Sequence, residues 1–148
     1  MIRGLALAAL VAAGALSYEQ AAAENSTRVG DYTIHYNAFT ADTLSPEVAQ
    51  AYGFQRSKYR GLLNVSVVKE APGTTGSSVP AELGVDIVNI TGQKSRIPMR
   101  EIKDKEAVYY IGEFPVYNAQ TIKFEIRAKP PGAAEASTVT LSQQFFTE

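Results

Sequence analysis

Apolar and polar residues alternate with a period of two through most of the chain after residue 30. In 31–39, Tyr32, Ile34, Tyr36 and Ala38 share one face, and Thr33, His35, Asn37 and Phe39 share the other. In 62–69, Leu63, Val65 and Val67 alternate with Asn64 and Ser66. In 81–88, Leu83, Val85 and Ile87 alternate with Glu82, Gly84 and Asp86. In 120–129, Ile122, Phe124 and Ile126 alternate with Lys123, Glu125 and Arg127. In 138–145, Val139, Leu141, Gln143 and Phe145 lie on one side. Two less regular stretches, 95–102 and 107–114, complete a set of about seven strands. Pro72-Gly73 and Pro130-Pro131-Gly132 break the chain between them, and Asn89-Ile90-Thr91-Gly92 reads as a hairpin connection. The pattern predicts an all-β fold, an immunoglobulin- or fibronectin-like antiparallel β-sandwich, with a small β-barrel as the alternative.

One segment departs from the alternation. Ser45 has the form of a helix N-cap, Pro46 suits the first helical position, Glu47 is an acid in the first turn, and Gly53 suits a stop. These residues predict one short helix after the first strand, crossing to the second and covering an open end of the sandwich. The Gly/Ser/Thr-rich run at 73–78 reads as a flexible loop.

Residues 1–23 have the form of a secretory signal: Arg3, then the small and apolar run 4–16, then Ala21-Ala22-Ala23 before the expected cut. As a helix, that run rises about 20 Å, short of the roughly 30 Å of a bilayer core. The remainder, 24–148, reads as one sandwich domain with no integral membrane segment. Export without any cysteine points to a Gram-negative periplasm.

Two stretches, His35-Tyr36-Asn37-Ala38-Phe39 and Tyr52-Gly53-Phe54-Gln55-Arg56-Ser57-Lys58-Tyr59-Arg60, carry a resemblance. With the signal and the strand at 62–69, the chain resembles a family of small exported gammaproteobacterial proteins catalogued as a domain of unknown function. The resemblance implies export and an all-β domain. It implies no activity and no catalytic residue.

Composition narrows the chemistry. Fifteen acidic and fourteen basic residues leave a formal charge of −1, which argues against nucleic acid as a partner. The absence of cysteine excludes thiolate chemistry, and His35 is the only imidazole. No set of residues spaced as metal ligands and no Gly-x-Ser-x-Gly elbow occurs, so neither a metal nor another cofactor is expected. Glu82, Asp86 and Glu113 fall in strands whose pattern makes them outward and solvated, unlike a glycosidase pair.

The strongest binding candidate is the cation-rich segment at 56–60. In a strand, Arg56, Lys58 and Arg60 would point the same way, with Tyr59 beside them and His35 and Asn37 on the first strand. Such a stripe suits an anionic envelope ligand. Pairing of Arg56 or Arg60 with Glu47 or Glu113 is the structural alternative. Tyr110 and Tyr117 could face a protein partner. The sequence thus predicts a periplasmic, non-enzymatic module for another cell-envelope protein, with an anion-binding protein or an envelope hydrolase as alternatives.

Overall fold

The computed structural model describes residues 25–148; the predicted signal, 1–23, lies outside them. Ten strands follow in chain order. They are β1 (Asn25–Val29), β2 (Tyr32–Thr40), β3 (Arg60–Lys69), β4 (Ser77–Val79) and β5 (Glu82–Val88), then β6 (Lys94–Ile97), β7 (Arg100–Asp104), β8 (Ala107–Pro115), β9 (Gln120–Lys129) and β10 (Ser137–Phe145). A six-stranded sheet runs β1-β2-β3-β8-β7, with β4 extending the row on β3 where β8 leaves it. A four-stranded sheet runs β10-β9-β5-β6. All pairs are antiparallel. Both sheets end in free edges, so the fold is a β-sandwich and not a closed barrel.

The inner faces are the apolar faces read from the alternation. Ile34, Leu63, Val65 and Val67 from one sheet meet Val85, Phe124 and Ile126 from the other, all fully buried. Phe114 packs edge-on against Phe124, with centroids 4.9 Å apart, and against Phe145 at 5.5 Å. Opposite Phe114 on β3 sits Gly61, where a β-carbon would overlap the Phe114 ring.

Three sequence expectations need correction. Among the described residues the strands number ten, not about seven. β1 lacks an apolar rhythm and forms only by pairing with β2, and β4 forms within the run read as a flexible loop. The stretch 95–102 is two strands in different sheets. Pro98 has no N–H for a ladder, and there the chain leaves β6 and enters β7 across the sandwich.

The helix, α1 (Pro46–Tyr52), starts and stops as predicted. Ser45 Oγ accepts from Val48 N at 3.2 Å, and Gly53 takes φ 73°. It follows β2, because β1 precedes the strand read as first. Instead of closing an end, it lies on the outer face of the six-stranded sheet. There Ala41, Ala49, Phe54 and Leu62 form a second apolar cluster with Ile102. Phe39 and Ile111, whose parity turns them away from the main core, border it.

Candidate functional site

The predicted site residues do not converge. His35 and Asn37 lie on the outer face of β2, opposite Ser66 and Asn64 of β3. Arg60 begins β3, so His35 lies six residues along the sheet from it, about 20 Å. Residues 54–59 form no strand, and the expected common direction of Arg56, Lys58 and Arg60 is lost. The physical reason is local bonding. Arg56 donates from Nε to the carbonyl of Leu44 at 2.8 Å and from Nη2 to that of Asp42 at 3.1 Å, tying the loop back to the segment before α1. Arg60 pairs with Glu113. The Lys58 ammonium sits 5.3 Å from the Tyr59 ring centroid. Arg100, which the sequence did not single out, stacks 4.3 Å from the centroid of Phe54 and donates to the Tyr52 carbonyl.

The candidate carboxylates are likewise engaged. Glu82 lies 3.9 Å from Lys129, and Glu113 is held by Arg60; Glu125, not a sequence candidate, lies 3.0 Å from Lys94. Asp86 faces outward as predicted, yet it is only 6% exposed. Arg96 at 2.9 Å and Arg127 at 3.3 Å replace its solvent. The hydrogen bond from Arg96 holds its carboxyl below the usual 3.8, against a burial that alone would raise it. Gly84 leaves room for both guanidiniums: a β-carbon there would sit 3.1 Å from Arg127 Nη2 and 3.4 Å from Arg96 Nη1.

Among the described residues, four of the five large exposed apolar side chains share one end of the sandwich: Tyr59 (58%), Ile90 (102%), Tyr117 (63%) and Phe146 (59%). Strand register places them there. Tyr59 precedes Arg60, which pairs with Pro115, and Tyr117 follows that residue. Phe146 follows Phe145, which pairs with Gln120 at the start of β9. Ile90 tops the β5–β6 hairpin, whose base pairs Val88 with Lys94.

These positions are braced from below. Val116 N donates to the Tyr59 carbonyl at 2.8 Å, and Thr147 N donates to Asn118 Oδ1 at 3.0 Å. Asn89 Oδ1 accepts from Thr91 N at 3.0 Å and Gln93 N at 2.8 Å, fixing the turn that displays Ile90. Sequence reasoning marked Tyr59 and Tyr117 but missed Ile90 and Phe146. The signal for Ile90 was an isoleucine inside a turn motif otherwise made of polar and small residues.

The opposite end is built differently. Pro80, Pro130 and Pro131 line a shallow cleft of about 440 Å³ with Glu82, Glu101, Tyr110 and Lys129. The Tyr110 hydroxyl accepts from Ala81 N at 3.0 Å and donates to Glu101 Oε2 at 2.9 Å. Burial pushes this phenol above its usual 10.0. The polar atoms that the cleft shares with Tyr110 are thus satisfied within the protein.

Among the described residues, no helix is long and apolar enough to cross a membrane, and no three His, Cys, Asp or Glu residues are grouped to hold a metal. A comparison with curated proteins finds no match. Among solved structures, FetP of uropathogenic Escherichia coli strain F11, expressed in the periplasm of E. coli BL21(DE3), is similar with a TM-score of 0.57 at 13% identity. That match covers 84% of this chain and 94% of FetP. A copper-bound variant of the same FetP gives a TM-score of 0.57 at 13% identity, covering 83% and 95%. At that identity the likeness shows the fold alone. A crystal structure of a DUF4426 family protein from Pseudomonas aeruginosa PAO1 has a TM-score of 0.69 at 30% identity, covering 84% of this chain and 96% of that one. The family model described as "Domain of unknown function (DUF4426)" matches residues 26–148, and the chain belongs to that family.

Proposed function

We propose that this protein is a periplasmic, non-enzymatic module that holds another cell-envelope protein against the end carrying Tyr59, Ile90, Tyr117 and Phe146. The observation that carries the reading is the gathering of four large apolar side chains on braced segments between and beyond the strands at one end. Scattered exposed apolar residues need no explanation, but a set sharing one surface marks a contact site. Tyrosine and phenylalanine are favoured in such contacts. Lys58 and Tyr59, from the segment singled out by sequence, belong to this surface.

The signal-like segment at 1–23 supports a periplasmic location, and FetP offers a fold-level analogy for it. The copper of the FetP variant is not carried over, because no three His, Cys, Asp or Glu residues are grouped to hold a metal among the described residues. The engagement of Glu82, Asp86 and Glu113 by cations supports a binding role over hydrolysis. Arg56 is occupied by carbonyls and Arg60 by a carboxylate, which leaves Lys58 as the principal cation for an anionic ligand.

The test is site-specific photocrosslinking in intact cells. A crosslinker at Ile90 or Tyr117 is expected to capture one protein that a crosslinker at Lys105, on the opposite end, does not. Binding of that protein in purified form should weaken at least tenfold with Ile90→Ser plus Tyr117→Ser. Identical adducts from both ends, or affinity indifferent to the double substitution, would overturn the reading.

A further inference from the structure

The sandwich has unequal edges. β1 is five residues long and carries Arg28; β6 is four long and carries Lys94 and Arg96. β7 is five long, with Arg100, Glu101, Lys103 and Asp104. Short length and charge are the ordinary defences of an edge strand against pairing with another chain. β10 has neither. It is nine residues long, STVTLSQQF, without charge, proline or glycine. It pairs with β9 over its whole length and with no other strand among the described residues. Its second row of backbone donors and acceptors is open.

We infer that β10 pairs antiparallel with β10 of a second copy of this chain, with Thr140 opposite the same residue, joining two four-stranded sheets into one. A second copy is the occupant that the strand's own pattern favours. Thr138, Thr140, Ser142 and Gln144 face outward and are exposed, and Val139, Leu141 and Phe145 face the core. A twofold axis at Thr140 sets Thr138 opposite Ser142 and Val139 opposite Leu141. Hydroxyls then meet hydroxyls and aliphatic groups meet aliphatic groups, the pairings that stabilise a sheet. Moving the axis to Leu141 would set Val139 opposite Gln143 and Thr138 opposite Gln144.

Charge agrees with this register. No charged side chain lies on either joining strand. The nearest like charges in shared rows are on the two β9 strands: Lys123 with Arg127, next to Ser142 and Thr138, and Glu125 with its own copy, next to Thr140. Three strand spacings separate them, about 14 Å, beyond the roughly 8 Å Debye length at physiological salt. Self-pairing of β6 would instead bring Lys94 and Arg96 of two copies together. One strand from each copy is a small contact beside the roughly 1,600 Å² of a standard interface, so the dimer should dissociate on dilution.

The chain contains no cysteine, so introduced thiols report without background. Residues directly opposite in antiparallel strands have Cα atoms about 4.5–5.5 Å apart, within disulfide reach. In the purified protein, Thr140→Cys is expected to form a disulfide-linked dimer under mild oxidation, while Arg28→Cys and Lys103→Cys remain monomeric. Analytical ultracentrifugation of the unmodified protein should show a concentration-dependent dimer. Thr140→Lys and Ser142→Arg should each weaken it at least tenfold with the melting temperature retained. A monomer at every concentration, equal crosslinking at Arg28 and Thr140, or a dimer that survives Thr140→Lys and yields to Ile90→Ser would overturn the inference. So would a β10 that captures a different protein while remaining unpaired with itself. Only a dimer that yields to Ile90→Ser bears on the partner surface, by making it a self-contact; the other results leave it untouched, because the β10 residues are not part of it.

Discussion

The two ends of the sandwich solve opposite problems. At the end around Pro130, side chains turn inward: Tyr110 bridges Ala81 and Glu101, the Tyr32 hydroxyl donates to the Pro131 carbonyl, and prolines close the loops. At the other end, braced segments push Tyr59, Ile90, Tyr117 and Phe146 into solvent. The apolar end does not result from weak packing. Directly beneath it, Phe114, Phe124 and Phe145 form the main aromatic contact of the core, seated over Gly61. Exposure there is built on a buried aromatic cluster, which is the arrangement expected of a rigid contact surface.

The contrast is broken most strongly from below. Gly61→Ala drives a methyl group into the Phe114 ring and should cost about 3 kcal/mol in denaturant unfolding, since overpacked cores lose stability. Partner capture at Tyr117 should fall with it, because that surface loses its platform. A cost below about 0.5 kcal/mol would show that Phe114 moves aside freely and that the end is not rigid. Tyr110→Phe, at the opposite end, should cost about 1.5 kcal/mol by leaving the Ala81 N–H without its acceptor. It should leave partner capture unchanged, and a loss of capture would mean that the two ends communicate.

Ser45→Ala removes the N-cap of α1 and should cost about 1 kcal/mol. Its effect should be confined to the outer cluster, read as faster hydrogen exchange at residues 46–52. Smallest of all, Ile90→Ser should change stability by less than about 0.5 kcal/mol. Nothing in the core holds Ile90, and a larger loss would mark it as structural.

The outer faces of the two sheets differ in another measurable way. One is covered in part by α1 and apolar side chains; the other is a lattice of cations around Asp86 and Glu125. Asp86 has its folded pKa lowered, chiefly by the Arg96 hydrogen bond. Between the folded and unfolded values, the unfolded chain binds more protons, so stability rises with pH there. The contribution of Asp86 is present above about pH 4 and is lost as pH falls through the lower folded value. Unfolding free energy measured against pH should therefore drop less steeply in acid for Asp86→Asn than for the unmodified protein.

Much of the fold was legible because alternation reports directly on which face is buried. Tyr32, Ile34, Leu63, Val65, Phe124 and Ile126 were assigned to the correct face by their parity alone. β1 was not legible: an edge strand such as Asn25-Ser26-Thr27-Arg28-Val29 buries too little to leave a rhythm, and only its partner makes it a strand. The break at Pro98 was visible as a proline, but a change of sheet is a three-dimensional event. The candidate site was less legible still. The segment at 56–60 looked like a charged stripe because sequence shows charges and not their partners. Arg56 is consumed by the carbonyls of Leu44 and Asp42, acceptors that every residue carries and no pattern reveals. Ile90 was hidden for the complementary reason, since one apolar residue in a turn carries no periodicity.

The choice of carbonyls for those arginines has a further consequence. Arg56 and Arg100 fasten the α1 excursion to peptide carbonyls, and a peptide oxygen has no proton to gain. Only acid strong enough to reach the lowered Asp86 value would therefore loosen the ionic mesh on the far face, and the helical cover would stay latched even then.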